Sequence, residues 1–332
     1  MNEATASSAA GAGENDQWLQ RALHLRAELY ALIRAFFAER DVLEVETPIL
    51  SAAANTDPSI QSFSTAFCGH VDAGPRERWL RTSPEYPMKR LLAGGIGDCY
   101  ELGRVFRNGE AGRRHNPEFT MLEWYRIGFD HLRLMDETAD LVGCALALVE
   151  RRASIVRTSY RDLFVDTLGL DPFTATIDRL RVPLQSFSIV PEGLSRDDWL
   201  DLLLTHRIEP EFPPDRITLV HDYPASQCAL ARIRQDDPPV AERFEVFFGP
   251  SELANGYHEL SDATEQRVRF ERDNARRRES GQREMPVDER LLAWLPNLPA
   301  CAGVALGVDR LLMCMAGSND IADVLAFAFA EA

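Results

Sequence analysis

Apolar residues near the start of the chain follow a helical spacing. From Trp18 onward they recur every three or four positions, with charged residues between them. The apolar positions are Ala22, Leu25, Leu29, Leu32, Ile33, Phe36 and Phe37. This spacing predicts an amphipathic helix that packs its apolar face against the rest of the protein. Residues 1–16, in contrast, are rich in Ala, Ser and Gly, and we expect them to form a disordered tail.

The spacing changes to that of a strand in residues 42–48. Val and Leu alternate there with carboxylates before Pro48, which cannot donate to a central ladder, so we expect a strand at a sheet edge or an interface. Similar patterns predict strands over 99–107, 117–126, 217–222 and 243–260, and helices over 132–149, 199–206, 262–278 and 308–316. Strands that do not alternate regularly with helices favour an antiparallel sheet flanked by helices, an α+β fold.

The patterns indicate one domain over residues 17–332. Within it, residues 130–215 mix helical patterns with proline-containing loops and suggest no particular chemistry, so we expect an elaborated region there. The sequence contains no internal repeat, no Walker motif and no dinucleotide-binding fingerprint.

Charge and cysteine content narrow the function classes. The chain has 36 Lys and Arg against 52 Asp and Glu, a net charge of −16, which disfavours a broad basic surface for nucleic acid but leaves room for a local patch. Its six cysteines form no CxxC pair, which disfavours a zinc site or a redox dithiol. The sequence shows no basic leader and no apolar run near the ~20 residues of a membrane span, so we expect a cytoplasmic protein.

Two predicted strands carry an unusual mixture of side chains. A period of two places Phe119, Met121, Glu123 and Tyr125 on one face of the first strand. Taken alone, this strand could be ordinary core with Glu123 at a wet rim. A second strand repeats the arrangement with Asn255, Tyr257 and Glu259. Together, two such faces suit an ammonium group, which paired carboxylates with an aromatic neighbour hold well.

Two arginines are candidates for phosphate binding. The guanidinium groups of Arg107 and Arg310 are always charged and can fork onto phosphate oxygens, although each arginine taken alone is better explained by a surface ion pair. Arg310 follows Gly303 and Gly307 closely, and glycines at such positions let the backbone approach a ligand.

Two carboxylates around a predicted turn are candidates for metal binding. Glu245 and Glu252 flank the turn at Gly249, and such carboxylates hold Mg²⁺ while leaving coordination positions for phosphate oxygens. Strict alternation does not place Glu252 on the face of Asn255, so the assignment requires a bulge or a break in the strand.

The combination of these segments resembles a known family. Residues 36–48, 106–123 and 307–310 resemble the three motifs of class II aminoacyl-tRNA synthetases. The amino acids in these motifs are most similar to those of lysyl-tRNA synthetases. The resemblance covers residues 20–330. The first motif begins near residue 36, which leaves no room for an anticodon-binding barrel before it. With Ser83 and Ala305 where lysyl synthetases usually have Ala and Gly, the chain resembles the elongation factor P–(R)-β-lysine ligases, paralogues that modify a protein lysine.

The resemblance implies a fold, a reaction and partners. The fold would be a class II synthetase-like catalytic domain. The reaction would use ATP and Mg²⁺ to convert (R)-β-lysine to its adenylate and transfer it to a lysine of elongation factor P, in a homodimer whose interface includes helix 18–37. No membrane is expected, and tRNA is not the expected acceptor. Two alternatives remain open: a truncated lysyl-tRNA synthetase acting on tRNA, and a non-catalytic regulatory paralogue.

The resemblance also assigns roles position by position. Arg107 and Arg310 are the expected catalytic residues on the ATP phosphates. The other expected ATP-binding residues are Asn108, Glu110, His115, Phe119 stacked on adenine, Glu245 and Gly307. The expected amino-acid pocket consists of Ser83, Pro84, Glu85, Glu123, Tyr125, Asn255, Glu259 and Ala305, and Glu245 and Glu252 would hold Mg²⁺. One departure affects Glu110, because synthetases have Glu where this chain has Gly109.

Overall fold

The structure is a computed structural model that describes residues 6–332, with side chains described from Trp18 onward in the first helix. Helix α1 is Ala6–Ala38, and its predicted apolar positions from Ala22 to Phe37 are buried or half-buried. The backbone of residues 6–16 belongs to this helix, whereas residues 1–5 and the first side chains of α1 lie outside the described part. The expected disordered tail over residues 1–16 therefore stays a prediction.

The remaining elements follow the predicted order, with additional short strands. The strands are β1 (Leu43–Glu44), β2 (Leu50–Ser51), β3 (Ser64–Ala66), β4 (Glu77–Leu80), β5 (Cys99–Phe106), β6 (Glu118–Ile127), β7 (Ser154–Ser159), β8 (Arg216–Pro224), β9 (Ile233–Arg234), β10 (Val240–Phe248), β11 (Ser251–His258) and β12 (Cys301–Gly307). The other helices are α2 (Glu85–Ala93), α3 (His131–Ala147), α4 (Tyr160–Leu168), α5 (Ile177–Arg181), α6 (Arg196–Leu203), α7 (Ala263–Glu279), α8 (Glu289–Trp294) and α9 (Val308–Ala316).

One large sheet organises the fold. Its order is β1-β5-β6-β12-β11-β10-β8-β7, with β9 beside β10, and β2, β4 and β3 form a separate small sheet. The six strands from β5 to β8 are antiparallel, which confirms the predicted α+β class. The outermost pairs are parallel, so the antiparallel sheet that we expected forms the centre of a mixed sheet. In each of these parallel pairs, a long crossover that contains helices connects the two strands, as parallel neighbours require.

The two faces of the central strands differ in chemistry. On one face, alternate residues such as Leu122, Trp124 and Val304 form the main core with α1, α3 and α9. Phe37 of α1 stacks on Tyr100 at 4.3 Å between ring centroids, which fixes the helix against this face. The opposite face carries the intervening polar residues and is covered at its two ends by apolar clusters around α6 and α8. A polar floor therefore remains between two apolar walls.

Residues 130–215, expected to be an elaborated region, contribute to both layers. Helix α3 belongs to the main core, β7 extends the sheet, and α4 to α6 form the cluster on the polar face. The predicted limits of the single domain, 17–332, stay a prediction. None of the helices in the described chain is both long enough and apolar enough to cross a membrane.

A buried carboxylate ties three elements together. Asp309, at the start of α9, is 1% exposed; its Oδ2 accepts the backbone N–H of Thr120 at 2.6 Å, and its Oδ1 accepts from Arg26 of α1 at 2.5 Å. Arg26 also donates to the carbonyl of Val324 at 2.7 Å. Asp309 therefore holds β6, α1 and α9 in register just before Arg310.

We expect Asp309→Ala to lower the free energy of unfolding by ~3 kcal/mol, because it leaves the half-buried guanidinium of Arg26 and the buried N–H of Thr120 without their acceptor. Urea denaturation would measure this. The exposed ion pair between Arg267 and Glu289 provides the control, because Glu289→Ala should leave the urea midpoint unchanged. If Asp309→Ala and the wild type unfold at the same urea midpoint, Asp309 does not hold these three elements together.

Candidate active site

A cavity of ≈ 630 Å³ lies over the polar face of the central strands. All of the residues predicted for ATP, amino-acid and metal binding line it, except Asn108 and Pro84. Asn108 is exposed, and its backbone N–H donates to the carbonyl of Gln61 at 2.8 Å. Pro84 is buried and caps the start of α2. The geometry thus supports no ligand contact for these two residues.

Two arginines stand at one end of the cavity. Arg310 Nη1 lies 3.1 Å from Glu252 Oε2, and Arg310 Nη2 lies 2.6 Å from His115 Nε2. A guanidinium only donates, so His115 accepts this hydrogen bond through an unprotonated Nε2. Arg107 has no such tight partner: its guanidinium lies 5.2 Å from the centroid of the Phe119 ring and 3.9 Å from Glu110.

The backbone explains how Glu110 reaches the cavity despite its shifted position. Gly109 has a φ of 86°, a left-handed conformation that glycine adopts at low cost. The turn carries Glu110 onto the cavity wall, beside Arg107. Glu110 is therefore near the phosphate end, while its expected contact with ATP stays a prediction.

The bulge required by the sequence is present in β11. Val246 pairs with Ala254 and Phe247 pairs with Glu252, so Leu253 is left out of the register. As a result, Glu252 shares a face with Glu245 and Asn255, which confirms the bulge that we expected.

Glu245 is the buried member of this carboxylate pair, at 7% exposed. Tyr223 donates to its Oε2 at 2.7 Å, and Arg243 donates to its Oε1 at 2.5 Å. Burial raises the pKa of Glu245 to about 7, opposed by Arg243 and reinforced by the charge of Glu252. Glu209 lies close enough to feel both acids: burial, then Glu252 and Glu245, raises the pKa of Glu209 to about 7. Concentrated negative charge of this kind favours a bound cation.

The other end of the cavity is built from carboxylates and tyrosines. Glu123 is 2% exposed and accepts from the hydroxyls of Ser83 at 2.5 Å and Tyr125 at 2.7 Å. Burial, then the charge of Glu85, raises the pKa of Glu123 to about 8. Burial raises the pKa of Glu259 to about 7 as well. An ammonium group placed among them would favour their ionised forms.

Sequence reasoning missed several residues of this site. Lys89 contacts Glu85 and Glu259, each at 2.6 Å, and its i+4 spacing from Glu85 on α2 was the available signal. Arg243 was also missed. The available signal was its position two residues before Glu245, on the same strand face. Asp197, Asp198, Asp201, Thr205 and Glu209 also line the cavity, and they come from the region to which we assigned no chemistry.

The two glycines of β12 serve different purposes. A Cβ on Gly303 would lie 2.2 Å from the Tyr125 ring and 2.6 Å from Glu259 Oε1, so the protein itself fills that space. This corrects the expectation that Gly303 makes room for a ligand. A Cβ on Gly307 would meet only Arg310, at 3.8 Å, which leaves room for a ligand beside the backbone.

Comparison with known proteins identifies the family. The family model for class II tRNA synthetases (D, K and N) matches residues 14–331. Because the match covers nearly the whole chain, this protein belongs to that family.

Individual relatives are similar along nearly their whole length. The elongation factor P–(R)-β-lysine ligase of Vibrio cholerae is 49% identical over 326 residues, which cover 96% of this chain and 99% of the relative. The protein of the same name from Proteus mirabilis is 49% identical over 306 residues, 91% of this chain and 93% of the relative. That of Mannheimia succiniciproducens is 46% identical over 320 residues, 95% of this chain and 98% of the relative.

We expect Gly303→Ala to weaken amino-acid binding at least ~10-fold, or ~1.4 kcal/mol, because the added methyl displaces the Tyr125 ring or Glu259. The KM for the amino acid in ATP–pyrophosphate exchange, which proceeds through the adenylate, would measure this effect. Ala302→Gly gives a control on the same strand, because Ala302 faces the main core and should leave that KM unchanged. A wild-type KM for Gly303→Ala would show that the pocket does not depend on this contact.

Proposed function

We propose that this protein is an ATP-dependent ligase that activates (R)-β-lysine as an adenylate and transfers it to a lysine of elongation factor P. One observation carries the proposal: a single cavity joins an arginine-lined end suited to phosphates with a carboxylate-lined end suited to ammonium groups. The names of relatives that match along nearly their whole length support the particular substrate and acceptor.

The arginine-lined end fits a nucleotide triphosphate. Arg107 is the better placed of the two arginines to meet charge that develops during the reaction, since its guanidinium makes only a 3.9 Å contact with a carboxylate. Within the part of the chain that the structure describes, its Nε is also buried without a hydrogen-bond partner, so a donor is available for a ligand. Phe119 beside it offers an apolar face to a base. Preorganised donors of this kind stabilise a transition state without covalent chemistry by the protein.

The carboxylate pair of Glu245 and Glu252 fits Mg²⁺. Glu245 and Glu252 share one face through the bulge at Leu253, and the charge of Glu252 adds to the burial that raises the pKa of Glu245, an effect that a divalent cation between them would relieve. Oxygen ligands are those that Mg²⁺ prefers, and Glu252 is 38% exposed at its side chain, so it can turn toward an ion. When bound, the ion would neutralise phosphate charge. Arg310, paired with Glu252, would then be freed toward the phosphates.

The reaction requires two displacements. The carboxylate of the amino acid attacks the α-phosphorus of ATP, and pyrophosphate leaves. The neutral amine of the acceptor lysine then attacks the acyl carbon, the acyl C–O bond breaks as AMP leaves, and the nitrogen releases one proton to solvent. For both steps the chain supplies position and charge: Glu85, Glu123 and Glu259 hold the amino acid by its ammonium groups, so its carboxylate points toward Arg107.

The expected homodimer and cytoplasmic location belong to this proposal. Strand β1 is two residues long, pairs with β5, and leaves Leu43 49% exposed at the sheet edge. Ile49 and Leu50 are 40% and 48% exposed nearby. A partner subunit would cover these side chains, which are otherwise apolar surface in water.

Mass spectrometry of elongation factor P after incubation with the enzyme, ATP, Mg²⁺ and either lysine isomer tests the function. We expect addition of one lysyl mass to elongation factor P, more rapidly with (R)-β-lysine than with α-lysine. A tRNA acceptor is the second candidate, because the family match includes tRNA synthetases. Aminoacyl-tRNA formation with unmodified elongation factor P would replace the proposal with that candidate, and pyrophosphate exchange with neither isomer would favour a regulatory paralogue.

The Ala305 methyl should set part of the preference between isomers. Ala305 pairs with Glu123 on one side and Asn255 on the other, so its side chain lies between two predicted substrate contacts. A single methyl discriminates by ~1–3 kcal/mol, so we expect Ala305→Gly to raise α-lysine use by ~10-fold or more while (R)-β-lysine is still used. The ratio of kcat/KM for the two isomers measures this, with the KM for ATP as internal control. An unchanged ratio would show that Ala305 does not sense the amine.

A further inference from the structure

Lys89 is a buried ammonium for which the proposed reaction has no direct use. Its side chain is 2% exposed, and its Nζ lies 2.6 Å from Glu85 Oε1 and 2.6 Å from Glu259 Oε2. Both carboxylates line the cavity, whereas Lys89 reaches them from α2 and does not line it. A substrate in the cavity would therefore meet the carboxylates, with Lys89 behind them.

Burial opposes the charge of Lys89, but Glu259 and Glu85 outweigh that effect and raise the pKa of Lys89. The ammonium is thus retained at neutral pH. A buried lysine without such partners would instead lose its proton. The fixed charge also keeps two carboxylate groups in one geometry, because both bind the same nitrogen.

The tyrosines and cysteines around these carboxylates stay neutral. Burial raises the pKa of Tyr125 on β6 and of Tyr257 on β11 above the ordinary range. Burial raises the pKa of Cys99 on β5 to about 12, and it raises that of Cys301 on β12 as well. Tyr86, next to Glu85 on α2, is held neutral in the same way. Three carboxylates and one ammonium therefore set the charge around Lys89, whereas the guanidinium of Arg243 lies further along the cavity and donates to Asn255 at 3.3 Å.

When fully ionised, Glu85, Glu123, Glu259 and Lys89 together carry two negative charges. An amino acid with two ammonium groups brings two positive charges, so the occupied pocket is neutral. An analogue with one ammonium leaves a buried carboxylate uncompensated, which is costly in a site shielded from water. This count rests on the proposed function, since it treats the cavity as an amino-acid site.

We propose that Lys89 is a positioning residue that orients Glu85 and Glu259 and matches the charge of the pocket to a substrate with two ammonium groups. The ordinary alternative is an ion pair that only stabilises the fold. The two roles differ in their pH dependence. Without the Lys89 charge, which favours ionised Glu259, the Glu259 carboxyl holds its proton to higher pH, and the ionised form that binds ammonium is reached later.

The test compares Lys89→Gln, which removes the charge, with Lys89→Arg, which keeps it. KM for (R)-β-lysine is measured by pyrophosphate exchange between pH 6 and pH 8.5. For Lys89→Gln we expect a KM at pH 7 raised about 10-fold or more, falling toward the wild-type value as pH rises, with an unchanged KM for ATP. Lys89→Arg should keep the wild-type dependence on pH. A wild-type curve for Lys89→Gln, or a KM raised equally at every pH, would overturn the proposal.

Two further measurements keep the outcome decisive. Thermal unfolding shows whether Lys89→Gln is folded, and Lys89→Met replaces it if it is not. In the wild type, 6-aminohexanoate, which has one ammonium, should inhibit at least about 10-fold more weakly than (R)-β-lysine binds. Equal affinity would overturn the charge match. If the wild type activates neither lysine isomer, the proposed function fails by itself, and calorimetric binding of lysine to the wild type and Lys89→Gln over the same pH range then tests Lys89 separately.

Discussion

The structure depends on the alternation of side chains along six antiparallel strands, and on one interruption of it. Alternation sends Leu122 and Trp124 to the core and Glu123 and Tyr125 to the cavity, so a single strand serves both layers. A shift of one residue would exchange the two sets. At Leu253 the register slips by one residue, and this slip brings Glu252 onto the cavity face.

A floor of ionisable groups is costly inside a protein, and this one is stabilised by partners for most of its carboxylates. Arg243 and Tyr223 bind Glu245, Ser83 and Tyr125 bind Glu123, and Lys89 lies against Glu85 and Glu259. The supporting residues come from regular elements, mainly the strands and α2, which keeps the charges in fixed positions. These polar groups are therefore fixed in positions where they can also bind a ligand. Asp309 positions Arg310 in a similar way, because its hydrogen bond to β6 fixes the start of α9.

Much of this arrangement follows from sequence periodicity. The strands over 99–107 and 117–126, the helix after Asp262 and the bulge near Glu252 were predictable because each rests on local patterns or caps. The parallel outer strands were not, because strand direction depends on long crossovers. Glu209 reaches the cavity only through tertiary packing of α4 to α6, which no local pattern reveals. The role of Gly303 likewise depends on a ring from the neighbouring strand.

A crystal structure with a non-hydrolysable ATP analogue, Mg²⁺ and (R)-β-lysine tests the central claim most directly, namely that the two ends of one cavity hold the two substrates of one reaction. We expect the phosphates at Arg107 and Arg310 and the ammonium groups among Glu85, Glu123 and Glu259. A triphosphate bound away from both arginines, or an amino acid bound outside the carboxylate cluster, would contradict the account.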